Sequence, residues 1–203
     1  MRKKNTKIRY VIEEVTDSFV RGRIDLDDVS LIHNSILKEV ADHDLEDGLV
    51  GGEADGQDVD LETRQSEIFW LTKSKKAQAL SRKLVGEIND EYFGIDIDKG
   101  NPPDTQYTVY RNPDDHYDWH QDHYDDESTD GFLRTLSLSI CLSPTDFYEG
   151  AEFFIKDGSE RNVRVFKMHY GEFIVFPSDV EHKVNALRAG ERESLVIWYG
   201  LEE

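Results

Sequence analysis

From residue 106 to residue 199 the chain is a near-continuous series of short strand-like runs, each closed by turn residues. The runs cover residues 106–110, 117–122, 133–142, 151–156, 161–166, 172–175, 182–185 and 194–199. Eight such strands behind a helical preface predict a mainly β protein. Its core is expected to be a double-stranded β-helix, or jelly roll, in which two sheets face each other and helices flank one outer surface. Residues 133–142 show the pattern best. Leu136, Leu138, Ile140 and Leu142 alternate with Thr135, Ser137, Ser139 and Cys141, so one face suits an apolar core and the other the wall of a ligand pocket.

The preface reads as supporting structure. Residues 8–15 alternate like a strand. Asp25 or Asp27 can cap a helix that runs to about Ala41, with Val29, Ile32, Ile36, Leu37 and Val40 on its buried face. His33 on this helix is read as a surface or packing residue. Residues 42–60 are rich in acids and glycine but lack the ligand order of an EF-hand, so a mobile solvated loop is expected. Residues 64–71 read as one strand and residues 73–92 as an amphipathic helix buried through Ala77, Leu80, Leu84, Ile88 and Tyr92. Asn101-Pro102-Pro103 breaks the chain. The expected organisation is one domain over 1–203, with residues 1–103 supporting a β-helix core at 104–203.

Composition limits the partners. With 24 basic against 43 acidic residues the formal charge is −19, which disfavours nucleic acid and acidic membrane surfaces as partners, because phosphate contacts need Lys and Arg. A lone cysteine, Cys141, cannot form an intramolecular disulfide and suits a reducing compartment; its place on the small polar face marks it as a buried filler. No apolar run is long enough to span a membrane and none resembles a signal-peptide core. A cytoplasmic location is the expectation.

Chemistry concentrates between Tyr110 and His123. In His120-Gln121-Asp122 an imidazole and a carboxylate stand two residues apart, so on one strand they would leave the same face and converge on one ion. His116-Tyr117-Asp118 and His123-Tyr124-Asp125 repeat the pattern, and periodicity does not separate them. His182 is the best third ligand. Two histidines and a carboxylate form the facial triad of non-haem Fe(II) oxygenases, which leaves coordination positions open. Downstream, Arg192 and Ser194 again stand two apart. A hairpin turning at Ala189-Gly190 would return them towards His182. A guanidinium can pair bidentately with a carboxylate. The combination suggests an anionic co-substrate that chelates iron at one end and meets Arg192 at the other, and 2-oxoglutarate has that shape.

The stretch from about Arg64 to Tyr199 resembles the Fe(II)/2-oxoglutarate-dependent dioxygenases of the prolyl 4-hydroxylase-like family. The resemblance rests on Tyr110-Arg111-x5-Tyr117-x-Trp119-His120-x-Asp122, the Arg134-Thr135-Leu136-Ser137 strand and Tyr148-Glu149-Gly150-Ala151-Glu152. It is completed by Val175-Phe176-Pro177-Ser178 and the run from His182 to Trp198. Ala151 stands where the family usually has the second glycine of a Gly-Gly-Glu turn, and Ala186 where proline is frequent.

The resemblance implies Fe(II) on His120, Asp122 and His182, with 2-oxoglutarate and O2 as co-substrates and ascorbate as a reductant. Oxidative decarboxylation to succinate and CO2 would accompany hydroxylation of an unactivated C–H bond. Arg192, with Ser194 and Tyr110 as supporting donors, would bind 2-oxoglutarate. Tyr117, Arg134 and Trp198 match the family's peptide-contacting positions and point to a prolyl residue in a peptide or protein substrate. Two alternatives stand beside this reading. One is the same chemistry on another side chain or on a free small molecule. The other is a cupin-type metal-binding jelly roll, which has no reason to place Arg192 and Ser194 opposite the histidines.

Overall fold

The computed structural model describes residues 8–48, 60–98, 104–123, 132–158 and 161–202. In chain order the preface contributes β1 (Tyr10–Val15), β2 (Val20–Ile24), α1 (Leu26–Val40), β3 (Glu46–Asp47), β4 (Arg64–Gln65), β5 (Glu67–Trp70) and α2 (Lys75–Ile88). The second half contributes β6 (Asp104–Tyr110), β7 (His116–His120), β8 (Phe132–Cys141), β9 (Tyr148–Gly150), β10 (Phe153–Lys156) and β11 (Val163–Phe166). It ends with β12 (Glu172–Pro177), β13 (His182–Val184), β14 (Leu187–Gly190) and β15 (Arg192–Glu202).

Two antiparallel sheets result. The larger has the order β1-β2-β12-β8-β15-β6-β5-β3 and the smaller β11-β10-β13-β7-β4, while β9 and β14 form a separate ribbon. The eight expected strands are β6, β7, β8, β10, β11, β12, β13 and β15. Four lie in each sheet, and the chain crosses between sheets repeatedly, as a double-stranded β-helix requires.

The strand pattern explains the layering. Leu136, Leu138 and Ile140 of β8 and Leu195 and Ile197 of β15 point to the outer face of the large sheet. There they form one buried cluster with Val29, Ile32 and Ile36 of α1 and Leu80, Leu84 and Ile88 of α2. Each such side chain, fully buried, contributes about 1.5–3 kcal/mol. The capping expectation resolves to Asp25, whose carboxylate accepts from the Asp27 N–H at 3.1 Å. His33 of α1 makes two polar contacts, 2.9 Å to Glu193 Oε2 and 3.3 Å to the Tyr170 hydroxyl, and so ties the helix to β15.

The space between the sheets holds a second cluster, including Phe153, Ile155, Phe176 and Val184. Phe153 projects from the small sheet and Phe176 from the large one, and their rings meet with centroids 6.0 Å apart. This pair acts as a spacer between the sheets.

Several expectations need correction. Residues 182 to 192 do not form a hairpin, because β13 belongs to the small sheet and β15 to the large one. The chain between them instead pairs through β14 with β9, and Gly190, at φ 81°, is the left-handed residue just before β15. Residues 64–71 are two strands in different sheets, β4 against β7 and β5 against β6, with Ser66 between them. Leu37 and Tyr92 lie off the buried stripes, 41% and 37% exposed. The strand β2 was not expected; its Arg21 and Arg23 alternate with a glycine and hide the pattern. Of the acidic segment 42–60, residues 49–59 lie outside the described residues, as do Asn101-Pro102-Pro103 and Tyr124 and Asp125. Among the described residues no helix is long and apolar enough to cross a membrane.

Candidate active site

One end of the β7–β13 pair in the small sheet carries both histidines. His182 opens β13, His120 closes β7, and the two residues are direct cross-strand partners. Asp122 lies just beyond β7 rather than on it, so the shared-strand argument is not what brings it in. Its N–H donates to the Ser178 carbonyl at 2.8 Å, in the turn after β12. The outcome is a compact triad. Asp122 Oδ1 is 3.7 Å from His120 Nε2, and Asp122 Oδ2 is 3.6 Å from His182 Nε2. One ligand atom from each of the three residues lies within 4.8 Å of the others, as a single metal ion demands, and among the described residues no other such group occurs.

Both histidines are fixed in the tautomer that metal binding requires. His120 Nδ1 is 2.7 Å from the Asp118 carbonyl and His182 Nδ1 is 3.0 Å from the Val180 carbonyl. A carbonyl only accepts, so each Nδ1 carries the hydrogen and each Nε2 presents its lone pair inward. Burial, with repulsion from His182, pushes the His120 pKa down to about 3. Burial works to raise the Asp122 carboxyl, but the two imidazoles and the Ser137 hydroxyl outweigh it and hold it below the usual range. At neutral pH no proton competes for His120 Nε2 or for the Asp122 carboxylate.

The competing motif faces away. Tyr117 pairs with Val184 while His120 pairs with His182, so three steps along β7 match two along β13. The bulge at Asp118-Trp119 turns Tyr117 and His120 to the same, inner face. His116 and Asp118 instead line an open groove on the outside with Lys183 and Asn185. His116 is occupied there, with Nδ1 2.8 Å from the Asp114 carbonyl and Nε2 3.0 Å from the Glu62 carbonyl. The His123 ring contacts the Arg134 carbonyl at 3.0 Å.

Across the cavity stands Arg192 of β15, 1% exposed. Its Nη1 lies 3.4 Å from Ser194 Oγ, a long contact, and its Nε and Nη2 are buried without a hydrogen-bond partner. A buried guanidinium left in this state is costly. Its donors fit an anion in the cavity, and the triad fits a divalent metal. Tyr110, buried beneath, has its ring 5.6 Å from the guanidinium carbon, and burial raises its phenol pKa.

Eight of the nine expected site residues line one cavity: His120, Asp122, His182, Arg192, Ser194, Tyr110, Tyr117 and Trp198. Arg134 is not among its lining residues. Its guanidinium lies 4.1 Å from the centre of the Trp198 ring and 3.4 Å from Asp104 Oδ2. Trp198 also contacts the half-exposed Trp70, centroids 5.8 Å apart.

Some lining residues escaped the sequence reading. Arg64 is 6% exposed, donates to Ser66 Oγ and to Gln106 Oε1 at 2.9 Å, and lies 4.6 Å over the Tyr117 ring. Gln106 and Thr108 also line the cavity, beside Ser139 of the β8 face that was expected to form the pocket wall. The signal was available for two of these, since Gln106, Thr108 and Tyr110 alternate with Tyr107 and Val109. Cys141 is a buried filler, with its thiol directed to the Ser143 carbonyl at 3.4 Å.

Known proteins share both sequence and fold with this arrangement. Residues 105–200 match the family model of the 2OG-Fe(II) oxygenase superfamily. A PKHD-type hydroxylase of Prochlorococcus marinus is 37% identical over 76 residues, which is 37% of this chain and 34% of that protein. Another PKHD-type hydroxylase, from Shewanella oneidensis, is 33% identical over 85 residues, 41% of this chain and 37% of that one. The matched stretch thus spans only about a third of these relatives' length. Among solved structures, a Pseudomonas putida prolyl-4-hydroxylase superposes with TM-score 0.68 at 18% identity, covering 92% of this chain and 94% of that one. A Trichoplax adhaerens prolyl hydroxylase, solved with a hypoxia inducible factor peptide fragment, gives TM-score 0.71 at 17% identity over 91% and 84%. The candidate metal triad and the match over residues 105–200, just under half of the chain, make this stretch similar to the 2OG-Fe(II) oxygenase superfamily, and the chain shares the fold of the prolyl 4-hydroxylases.

Proposed function

We propose that the protein is an Fe(II)- and 2-oxoglutarate-dependent dioxygenase that hydroxylates a prolyl residue in a peptide. The observation that carries the reading is the buried guanidinium of Arg192, whose Nε and Nη2 lack partners opposite a ready metal triad. A cupin-type metal site would have no use for it.

In this reading His120, Asp122 and His182 hold Fe(II), which supplies the activation of dioxygen when bound. Arg192 takes the distal carboxylate of 2-oxoglutarate, a charge-assisted interaction on the order of 1.5–3 kcal/mol. Ser194 adds a hydroxyl on the same strand face, and Tyr110 forms the floor. Tyr117, Arg134 and Trp198 serve the substrate, with Trp198 as an aromatic wall for the prolyl ring and Arg134, at the mouth, for peptide carbonyls. That the Trichoplax adhaerens enzyme was solved with a peptide fragment supports a peptide here.

The test is succinate release by the iron-loaded chain, with and without proline-containing peptides, together with mass spectrometry of the peptide. Stimulated succinate release and a gain of one oxygen on proline are expected. Trp198→Ala should raise the succinate formed per hydroxyproline. Stimulation by a free small molecule but by no peptide would overturn the prolyl assignment and leave the dioxygenase reading standing.

A further inference from the structure

Asp122 is held by more than its place in the chain. Its carboxylate Oδ2 accepts a hydrogen bond from Ser137 Oγ at 2.7 Å, and Ser137 Oγ is 2.9 Å from Ser178 Oγ. Ser137 is on the inner face of β8 and Ser178 follows β12, and the two are 0% and 1% exposed. The backbone of Ser178 is fixed as well. Its N–H donates to the Thr135 carbonyl at 3.0 Å, and its carbonyl receives the N–H groups of Asp122 and His123 at 2.8 and 2.9 Å.

The direction of this chain of hydroxyls follows from donor counting. A ligand carboxylate is ionised and can only accept. Ser137 must therefore donate to Asp122. With that hydrogen committed, Ser178 must donate to Ser137. The relay runs one way, from Ser178 to Ser137 to Oδ2, in a site where water does not compete and each bond polarises the next. Oδ2 thereby has one lone pair committed to Ser137, a competitor for metal binding that Oδ1 does not face from Ser137.

Resting on the dioxygenase reading above, we infer that Ser137 is a positioning residue that keeps Asp122 a one-oxygen ligand. The consequence is a matter of counting coordination positions. Two histidines and one carboxylate oxygen leave three of six octahedral positions open. With Fe(II) held there, a chelating 2-oxoglutarate would fill two of them and leave one free. A carboxylate bound through both oxygens would occupy that last position. Ser137 would thus keep one coordination position of a bound metal free without touching any reactant.

The experiment uses the full chain loaded with Mn(II), whose effect on water-proton relaxation reports the exchangeable waters it carries. Wild type should show about three such waters, falling to about one with 2-oxoglutarate. In Ser137→Ala the enhancement should drop by about a third, and 2-oxoglutarate should abolish it almost completely. Ser137→Cys, similar in volume but a weak donor, should follow Ala, and Ser137→Thr should follow wild type. If Ser137→Ala does not fold, the Cys and Thr variants decide the question. Equal enhancement in wild type and in the Ala or Cys variant overturns the inference. So does complete loss of Mn(II) binding in those variants, because Ser137 would then hold the site together rather than set how Asp122 binds. A wild type that binds no Mn(II), or whose relaxation ignores 2-oxoglutarate, overturns the dioxygenase reading itself.

Discussion

The ring of Tyr117 lies flat on that of His120, with centroids 3.5 Å apart and planes 10° from parallel. The β7 bulge creates this contact, and the guanidinium of Arg64 closes the other face of the tyrosine. Tyr117 therefore steadies a metal ligand as well as facing the cavity. Tyr117→Phe should leave metal affinity within about twofold, because the stack survives. Tyr117→Leu should weaken it by about two- to twelvefold, the equivalent of an aromatic contact of 0.5–1.5 kcal/mol. Metal titration of the two variants measures this, and equal affinities would remove the supporting role.

Arg192 offers a test in which stability and binding move in opposite directions. Its unpaired buried charge disfavours the empty fold, whereas Arg192→Met keeps the volume and removes the charge. The variant should unfold at a higher temperature than wild type without 2-oxoglutarate, by about 1–4 kcal/mol in stability. Wild type should gain thermal stability when 2-oxoglutarate is added and the variant should not. Arg192→Lys should retain part of that gain, since the charge survives but the fork is lost.

The two histidine motifs on β7 should behave differently. His182→Ala and His120→Ala should abolish iron binding, and His116→Ala should leave it within about twofold. His116 faces the outer groove, where its ring nitrogens meet backbone carbonyls. Iron stoichiometry after anaerobic reconstitution of each variant decides between them.

Acid should destabilise the metal-free protein over a defined range. The folded-state pKa of His120 is pushed down to about 3, below the unfolded value of 6.5. The unfolded chain therefore takes up a proton as pH falls below 6.5 while the folded chain does not. The stability this group contributes is complete above 6.5 and is lost as pH falls towards 3, with a slope approaching about 1.4 kcal/mol per pH unit. Denaturant titrations of metal-free wild type between pH 7 and 5 should show the decline, and His120→Gln should show less of it.

The sequence revealed the architecture because alternation in β8 and the turn-punctuated spacing are local properties. Where geometry depends on a partner strand it was silent. The β7 bulge shifts side chains by one position, so His116, Asp118 and His120 looked equivalent although they face opposite sides. Ser66 looked like the middle of one strand but marks a change of sheet, and Arg64 was thereby missed as a lining residue. Ser137 was read as pocket wall, yet its partners Asp122 and Ser178 lie 15 and 41 residues away. Ala151 shows the reverse case. The alanine in place of the usual glycine still adopts a left-handed φ of 48°, since the turn is held by its 3.1 Å hydrogen bond to the Ala186 carbonyl.

The cross-sheet spacer of Phe153 and Phe176 has a consequence for molecular length. The triad belongs to the small sheet and its flank, and Arg192 to the large sheet, so the span between them follows the separation of the sheets, about 10 Å in such sandwiches. For the proposed co-substrate this makes the sandwich a ruler. Oxaloacetate, one carbon shorter, would reach only one end, and 2-oxoadipate, one carbon longer, would have to buckle. Both rings also pack against His182, with centroids 5.7 and 4.6 Å away. A smaller side chain at either position would recalibrate the ruler and loosen the ligand in one step, so tolerance for longer oxo acids and loss of metal should appear together.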